Sequence, residues 1–432
     1  MPTSDRKRES LSSLQKEVAR LKRAVEELST LNDLARSIGA SLDSQQVMRT
    51  IVNRSLRAVN GEQGVITLVG SGEASDTTTL IRTQLGSSEH TKFHLDRALL
   101  GWMFLNRKPL LVDDPRRDER FRGVKFDESI SSFICVPMMV KSELRGVLTV
   151  YNKKEGRGFS EDDERLLAII AAQSAQVVEN ARLYEEEKQL LKIREELRLA
   201  SRIQTDLLPK TCPQIPGYDI AAGTIPADQV GGDYFDFIRL DQNLIGLCVG
   251  DVSGKGLPAS LLMANLQATL RGQALLTPPP KECLSRANRL LFRSTGEEKF
   301  ATLFYAVLDT ARHSLCYSNA GHDRPVLLRQ GRPPQRPTAG GIPLGMVEEW
   351  IYEDESIELQ SGDLLVVFSD GVREAVDSRG EHFGDDRAID VVTANVHLPA
   401  QKLMEVIIGA VRSYASGSRL TDDMTLIVLK KL

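Results

Sequence analysis

Nothing interrupts a helical pattern between Ser160 and Pro209, and that run constrains the chain more than any other feature in it. Ser160 has the character of an N-cap, with Asp163 three residues on as a variant of the capping box. Further along, Leu190, Ile193, Leu197, Ala200 and Leu207 keep a seven-residue rhythm that Gln204 interrupts. One helix is therefore predicted to leave a middle domain and run to the entrance of the last one. A continuous helix is stiff, so paired with its copy in a dimer it makes a good two-state element. A rigid spacer is the plainer reading of the same residues.

The chain's 432 residues exceed what one hydrophobic core usually supports, so two or three domains are expected. A net charge of -4 argues against nucleic acid as a partner, because a phosphate backbone demands a basic surface. The five cysteines are scattered without a CxxC pair, so neither a disulfide framework nor a zinc site is indicated. Cys135 and Cys248 sit in apolar runs and read as small buried hydrophobes. The longest candidate span, LLAIIAAQSAQVV, is broken by Gln173, Ser174 and Gln176, and MPTSDRKRES lacks the apolar core of a signal peptide. A cytoplasmic protein without membrane contact is the expectation.

Residues 1–30 are predicted to form a coiled-coil lead-in, with Leu11, Leu14, Val18, Leu21, Val25 and Leu28 at alternating steps of three and four; an amphipathic helix packed on its own domain is the plainer reading of the same residues. The next segment mixes strands and helices. Strands are predicted at GVITLVG, TTLIRTQL, PLLVDD, FICVPMMV and RGVLTVYN, the last two joined by a Gly-containing turn, KSELRG. SFICVPMMVKSELRGVLTVYNK followed by FSEDDERLLAIIAAQSAQVVENARLYEE resembles a GAF domain, the small-ligand sensor fold. The resemblance implies a sensor over residues 31–182 that takes a small-molecule or protein ligand of unknown identity. Asn152-Lys153, Phe159 and Asp163-Glu164 follow the order seen in cyclic-nucleotide-binding members. They read equally as a strand end, a core aromatic and an acidic first helical turn. His90 and His94 have no partner spacing that argues for haem. A helical linker over 183–208 then leads to a last domain at 209–432.

In that last domain Asp233 in GGDYFDF, Asp251 in CVGDVSGKG, Asp370 in VVFSDGV and Asp422 in LTDDMTLIVL each stand at a junction of strand and loop. An isolated buried carboxylate must be paired, protonated or metal-bound. Four of them from distant parts of the chain suggest a cage of hard oxygen ligands for Mg²⁺ or Mn²⁺. Gly231, Gly232, Gly254 and Gly371 would let backbone approach such ions and turn sharply. Two hairpins, YFDFIRL-DQN-LIGLCVG and LFYAVLD-TARH-SLCYSNAG, and two helices, LPASLLMANLQATLRGQALL and PKECLSRANRLLFRS, point to an α+β layered sandwich.

The blocks VGGDYFDF, GDVSGKGLPASLLMA, FATLFYAVLD, YSNAGHDRPVLL, GIPLGM, GDLLVVFSDGVREAVDSRGEHFG and TDDMTLIVL, in that order, closely resemble the SpoIIE/RsbU-type metal-dependent serine/threonine phosphatases of the PPM family. The resemblance implies a PPM-type α-β-β-α sandwich holding two ions, Mn²⁺ or Mg²⁺. It makes Asp233, Asp251, Asp370 and Asp422 the catalytic carboxylates and metal ligands. Asp251 would bridge the two ions, the Val252 carbonyl would be a neighbouring ligand, and Asp423 stands in reserve for Asp422. It further implies a phosphorylated protein substrate, a STAS-type anti-sigma-factor antagonist; the homodimer is expected from the coiled-coil seams, not from the resemblance. Asp236 reads as either a support to the ligands or a surface residue. His322 is the nearest substitute for an acid where eukaryotic relatives place a histidine and this chain has Val252-Ser253. It reads equally as a structural hydrogen-bonding residue. Arg324 is a candidate for substrate phosphate. A diguanylate cyclase, suggested by GGDYF, lacks the downstream SDG and DDMT partners, and GDVSGKG has the wrong spacing for a P-loop. The other class of reading is a non-catalytic dimeric sensing scaffold with a phosphatase-like binding domain.

Overall fold

The structure is a computed structural model that describes residues 44–69, 77–84, 97–124, 126–154, 158–296, 299–415 and 420–432. The 1–30 lead-in, His90 and His94 lie outside the described residues. The chain divides into two compact units, residues 1–191 and 192–432.

In the first unit α1 (Ser44–Val59) precedes β1 (Gly61–Val69) and β2 (Thr77–Gln84). Then come α2 (Arg97–Asn106), β3 (Leu110–Val112), β4 (Phe133–Val140) and β5 (Glu143–Lys153). The strands form one antiparallel sheet in the order β2-β1-β5-β4-β3. Both faces of this sheet are covered, which is why FICVPMMV is apolar at nearly every position instead of alternating. Ile134 and Val136 pack on the side of α1, with Leu56 and Val52, while Phe133 and Cys135 pack on the side of α2, with Leu99 and Met103. The β4–β5 turn is Lys141-Ser142, with Lys141 at φ 55°. Gly146, expected in that turn, instead lies within β5, where a Cβ would stand 2.9 Å from the Thr67 carbonyl.

α3 spans Glu161–Leu207 without a break. Its start is the expected capping box: the Ser160 amide donates to Asp163 Oδ2 at 2.8 Å, and the Asp163 amide donates back to Ser160 Oγ at 3.2 Å. Leu167, Ala171, Ala175 and Val178 bury one stripe against the sheet. Beyond Ala181 the helix carries exposed Leu183, Leu190, Ile193 and Leu199. The Asn152–Glu164 pattern is structural at its core. Asn152 holds the Ser129 carbonyl and the Ser131 amide, while Lys153 pairs with Asp163 and lies over the Phe159 ring.

The second unit opens with β6 (Tyr218–Ile225), β7 (Tyr234–Arg239) and β8 (Leu244–Val252). After α4 (Leu257–Ala274) and α5 (Pro280–Ser294) come β9 (Ala301–Asp309), β10 (Ser314–Ala320), β11 (Val326–Leu328), β12 (Gly340–Gly341) and β13 (Glu355–Glu358). β14 (Leu364–Phe368), the single turn α6 (Asp370–Arg373), α7 (Gly384–Ala394), α8 (Ala400–Tyr414) and β15 (Met424–Lys431) complete it. One sheet runs β12-β10-β9-β8-β7 with β13 on β10, and the other runs β11-β14-β15-β6.

A shared core lies between the sheets, with Val249, Phe304 and Tyr317 from one and Val367 and Ile427 from the other. α4 and α5 cover the outer face of the first sheet, through Met263, Leu266 and Leu284. α7 and α8 cover the second, through Val392, Leu403 and Ile407. The result is the four-layer α-β-β-α sandwich. β8 lies inside its sheet between β9 and β7 and is buried from Gly246 to Gly250, so each fully buried Val or Leu in it stabilises the fold by roughly 1.5–3 kcal/mol. Sequence patterning named only two helices here. The outer pair α7 and α8 escaped it because β-branched runs such as Val391-Val392-Thr393 and Val406... through Ile408 suit a strand as well as a helix.

Candidate metal centre

The four aspartates arrive at one end of the two sheets from both directions. Asp251 closes β8 and Asp370 follows β14, while Asp233 and Asp422 stand just ahead of β7 and β15. Tight contact between these ends depends on absent side chains. A Cβ on Gly371 would stand 1.9 Å from the Asp423 carbonyl, so only glycine lets the Asp370 turn lie against the β15 approach. A Cβ on Gly232 would fall 3.0 Å from the Val252 carbonyl and 3.1 Å from Asp251 Oδ1. Those two oxygens therefore face the loop that carries Asp233.

Electrostatics confirm that the carboxylates feel one another. Burial, then the charge of Asp251, holds the Asp233 carboxyl well above the usual range. Burial, followed by Asp370, Asp422 and Asp423, pushes Asp251 up to about 7. Burial, followed by Glu374 and Asp422, pushes Asp370 up to about 6. Acids crowded until they resist ionisation are what a divalent cation relieves.

The two members of the Asp422-Asp423 pair differ sharply. Asp423 is buried, and its carboxylate accepts the amides of Ala227 and Gly232, both at 2.8 Å. Asp422 is half-buried and turns Oδ2 toward Lys255 Nζ at 2.9 Å, on the wall of a cleft of about 250 Å³ that Gly231, Gly232 and Gly254 also line. Lys255 also donates to the Thr421 carbonyl at 2.8 Å. Asp233 is fixed by the Ser369 hydroxyl, which donates to its Oδ2 at 2.7 Å and accepts the Thr425 amide at 2.9 Å. With Asp422 drawn to Lys255 and Asp233 to Ser369, no three Asp, Glu, His or Cys side chains among the described residues close on a single point. The donor chemistry nevertheless fits Mg²⁺ or Mn²⁺: hard carboxylate oxygens and one backbone carbonyl around a glycine cradle.

The remaining candidates take other roles. Asp236 is buried and not at the surface; it accepts from Tyr234 Oη at 2.7 Å and from Arg271 Nε at 2.6 Å, tying β7 to α4. His322 is buried with Nδ1 2.9 Å from Thr302 Oγ1, and that hydroxyl donates to the Asp251 carbonyl at 3.3 Å. Burial pushes its imidazole down to about 4, so it is uncharged at pH 7, and through Thr302 it is linked to the end of β8. Arg324 is exposed. Sequence reasoning missed Lys255, Ser369 and the Arg373–Asp323 pair, which meets at 2.7 Å beside Asp370. The Ser before SDG's aspartate and the Lys in GDVSGKG were in view, but nothing local signals partners more than a hundred residues away.

Fold and site together define a PP2C-type serine/threonine phosphatase domain behind a GAF domain. The profile described as Stage II sporulation protein E (SpoIIE) matches residues 241–431, and that of the GAF domain matches 41–179. The first takes in Asp251, Asp370, Asp422 and Asp423 but begins after Asp233. The phosphoserine phosphatase RsbU of Bacillus subtilis is 30% identical over 240 residues, covering 55% of this chain and 71% of RsbU. The phosphoserine phosphatase RsbP of the same organism is 24% identical over 248 residues, covering 55% of this chain and 58% of RsbP. Among solved structures, the SiaA-PP2C domain of Pseudomonas aeruginosa is 21% identical, with 56% of this chain and 98% of that one aligned at a TM-score of 0.49. The chain belongs to the SpoIIE/RsbU family of phosphatases. Members of the PPM class are metal-dependent. No helix among the described residues is long and apolar enough to cross a membrane.

Proposed function

We propose that this chain is a bacterial signalling phosphatase that hydrolyses phosphoserine or phosphothreonine on a partner protein, a STAS-type anti-sigma-factor antagonist, under control of its GAF domain. Asp233, Asp251, Asp370 and Asp422, with the Val252 carbonyl, would hold two ions, Mn²⁺ or Mg²⁺. What two such cations supply when bound is a water acidic enough to attack at neutral pH and a counter-charge to the phosphate dianion. The protein's own part is geometric. Ser369 fixes Asp233, Asp423 shapes the loop before it, and Thr302 holds the end of β8. Lys255, exposed at the cleft beside Asp422, is placed to meet an incoming phosphate.

The observation that carries this reading is the gathering of carboxylates from four separate elements, crowded enough to raise Asp251 to about 7 and Asp370 to about 6. Regulation is read from α3, one helix shared by both units, whose exposed Leu183, Leu190 and Ile193 give it a seam for a second copy. The test is phosphate release from a phosphoserine peptide by the full chain with Mn²⁺, beside a chelated control and D251N. Release that persists in chelator, or in D251N, would remove the metal mechanism; none under any condition would return the domain to a binding role.

A further inference from the structure

Gln204 is the residue that breaks the apolar rhythm of α3, three positions before the helix ends. In the structure its side-chain amide is fully used. Nε2 donates to the Gly231 carbonyl at 2.6 Å, and Oε1 accepts the Gly231 amide at 3.1 Å. One side chain thus takes both backbone groups of one glycine, as a neighbouring strand would. The next amide, Gly232, donates to Asp423 at 2.8 Å, and the residue after it is Asp233. The loop that delivers Asp233 is therefore suspended between α3 on one side and the approach to β15 on the other.

The end of the helix is secured a second time. The last carbonyls of a helix have no partner within it. Leu207's carbonyl instead accepts from Gln267 Nε2 at 2.6 Å, and Gln267 is buried on α4 beside Leu266. A leucine at position 204 would continue the seam of the linker, whereas the amide there is engaged by Gly231.

We propose that Gln204 is a positioning residue for Asp233, so that the last turn of α3 is a working part of the metal centre. This rests on the reading of Asp233 as a ligand. Any fraying or rotation of that turn releases Gly231 and loosens the grip on the cation, without a contact between α3 and the ion itself. Partners that orient metal ligands typically change affinity by about 10- to 100-fold when removed.

The experiment is calorimetric titration of the full-length protein with Mn²⁺ alone, for wild type, Q204L and the neighbouring control T205L. Q204L is expected to bind Mn²⁺ about 10-fold or more weakly, T205L like wild type. Excess Mn²⁺ should restore the Q204L rate on a phosphoserine peptide, which a merely structural lesion would not permit. Equal Mn²⁺ affinity in Q204L and wild type overturns the proposal, whereas a wild type that takes up no Mn²⁺ overturns the metal reading beneath it.

Hydrogen exchange in the wild type gives a second measure that needs no variant. Coupling is reciprocal, so Mn²⁺ should slow exchange in residues 200–208 as well as in 231–235. Protection confined to 231–235 would also defeat the proposal.

Discussion

The Asp423 carboxylate accepts the Gly232 amide at 2.8 Å, bridging 191 positions of sequence to hold the loop that precedes Asp233. Its neighbour Asp422 faces the cleft. Two adjacent aspartates thus divide the work, one building the site and the other lining it. Truncating Asp423 to alanine takes the acceptor from the half-buried Ala227 amide and the buried Gly232 amide, and should destabilise the protein by about 3 kcal/mol. Asp422→Asn should leave the melting temperature nearly unchanged and cut phosphate release by roughly 100-fold or more, the scale of losing one preorganised charge. Thermal melts alongside peptide dephosphorylation separate the two; equal melting temperatures would refute the division.

The metal-free protein should lose stability as pH rises. Asp251 and Asp370 have folded-state values near 7 and 6 against an ordinary 3.8. A raised folded value means the native state binds more protons than the unfolded one between these limits. The stabilisation is therefore complete below pH 4 and disappears as pH climbs through 6 and 7. Mn²⁺, which favours the ionised carboxylates, should raise the melting temperature more at pH 7.5 than at pH 5.5. Melting curves in chelator and in Mn²⁺ test this, and a metal-induced shift of equal size at both pH values would contradict it.

Arg271 reaches Asp236 with Nε at 2.6 Å, and the carboxylate is wholly buried while the guanidinium side chain is 46% exposed. Removing the arginine leaves a buried charge with the Tyr234 hydroxyl and the Phe237 amide as its remaining partners. Arg271→Ala should destabilise by about 2 kcal/mol, less than a fully buried pair because solvent reaches the arginine. Phosphate release per folded molecule should stay within about twofold of wild type, since no metal-centre side chain is touched. Denaturant titration with activity measured on the folded fraction decides it.

Inserting two residues after Lys192 would turn the end of α3 by about 200° relative to its start, at 3.6 residues per turn. Seven inserted residues nearly restore the phase. The two-residue variant should change the basal phosphatase rate of the full chain and the seven-residue variant should not. Identical rates in both would count against signalling through the helix.

The candidate carboxylates stood out in the sequence because each lies in a short, unusual context beside an apolar strand. α3 was legible because its start is marked by Ser160 and Asp163 and its stop by Pro209. What escaped is contact over long separations. Asp236 gave no hint of Arg271, and Gln204 looked like an interruption until Gly231 stood against it. The Lys141-Ser142 turn was missed for a local reason, since the nearby Gly146 drew the assignment although its close approach to Thr67 is what requires a glycine. α7 and α8 were missed because β-branched pairs suit either secondary structure, and only packing on β14 and β15 decides between them.

β15 lies inside its sheet, between β14 and β6, although it is the last strand formed in chain order. Residues 424–431 must therefore leave the ribosome before β6 gains a neighbour or the Asp422-Asp423 step is set. A polypeptide that stops short of residue 424 would carry the GAF unit but lack the strand that joins β14 to β6, and with it the frame for the proposed catalytic centre.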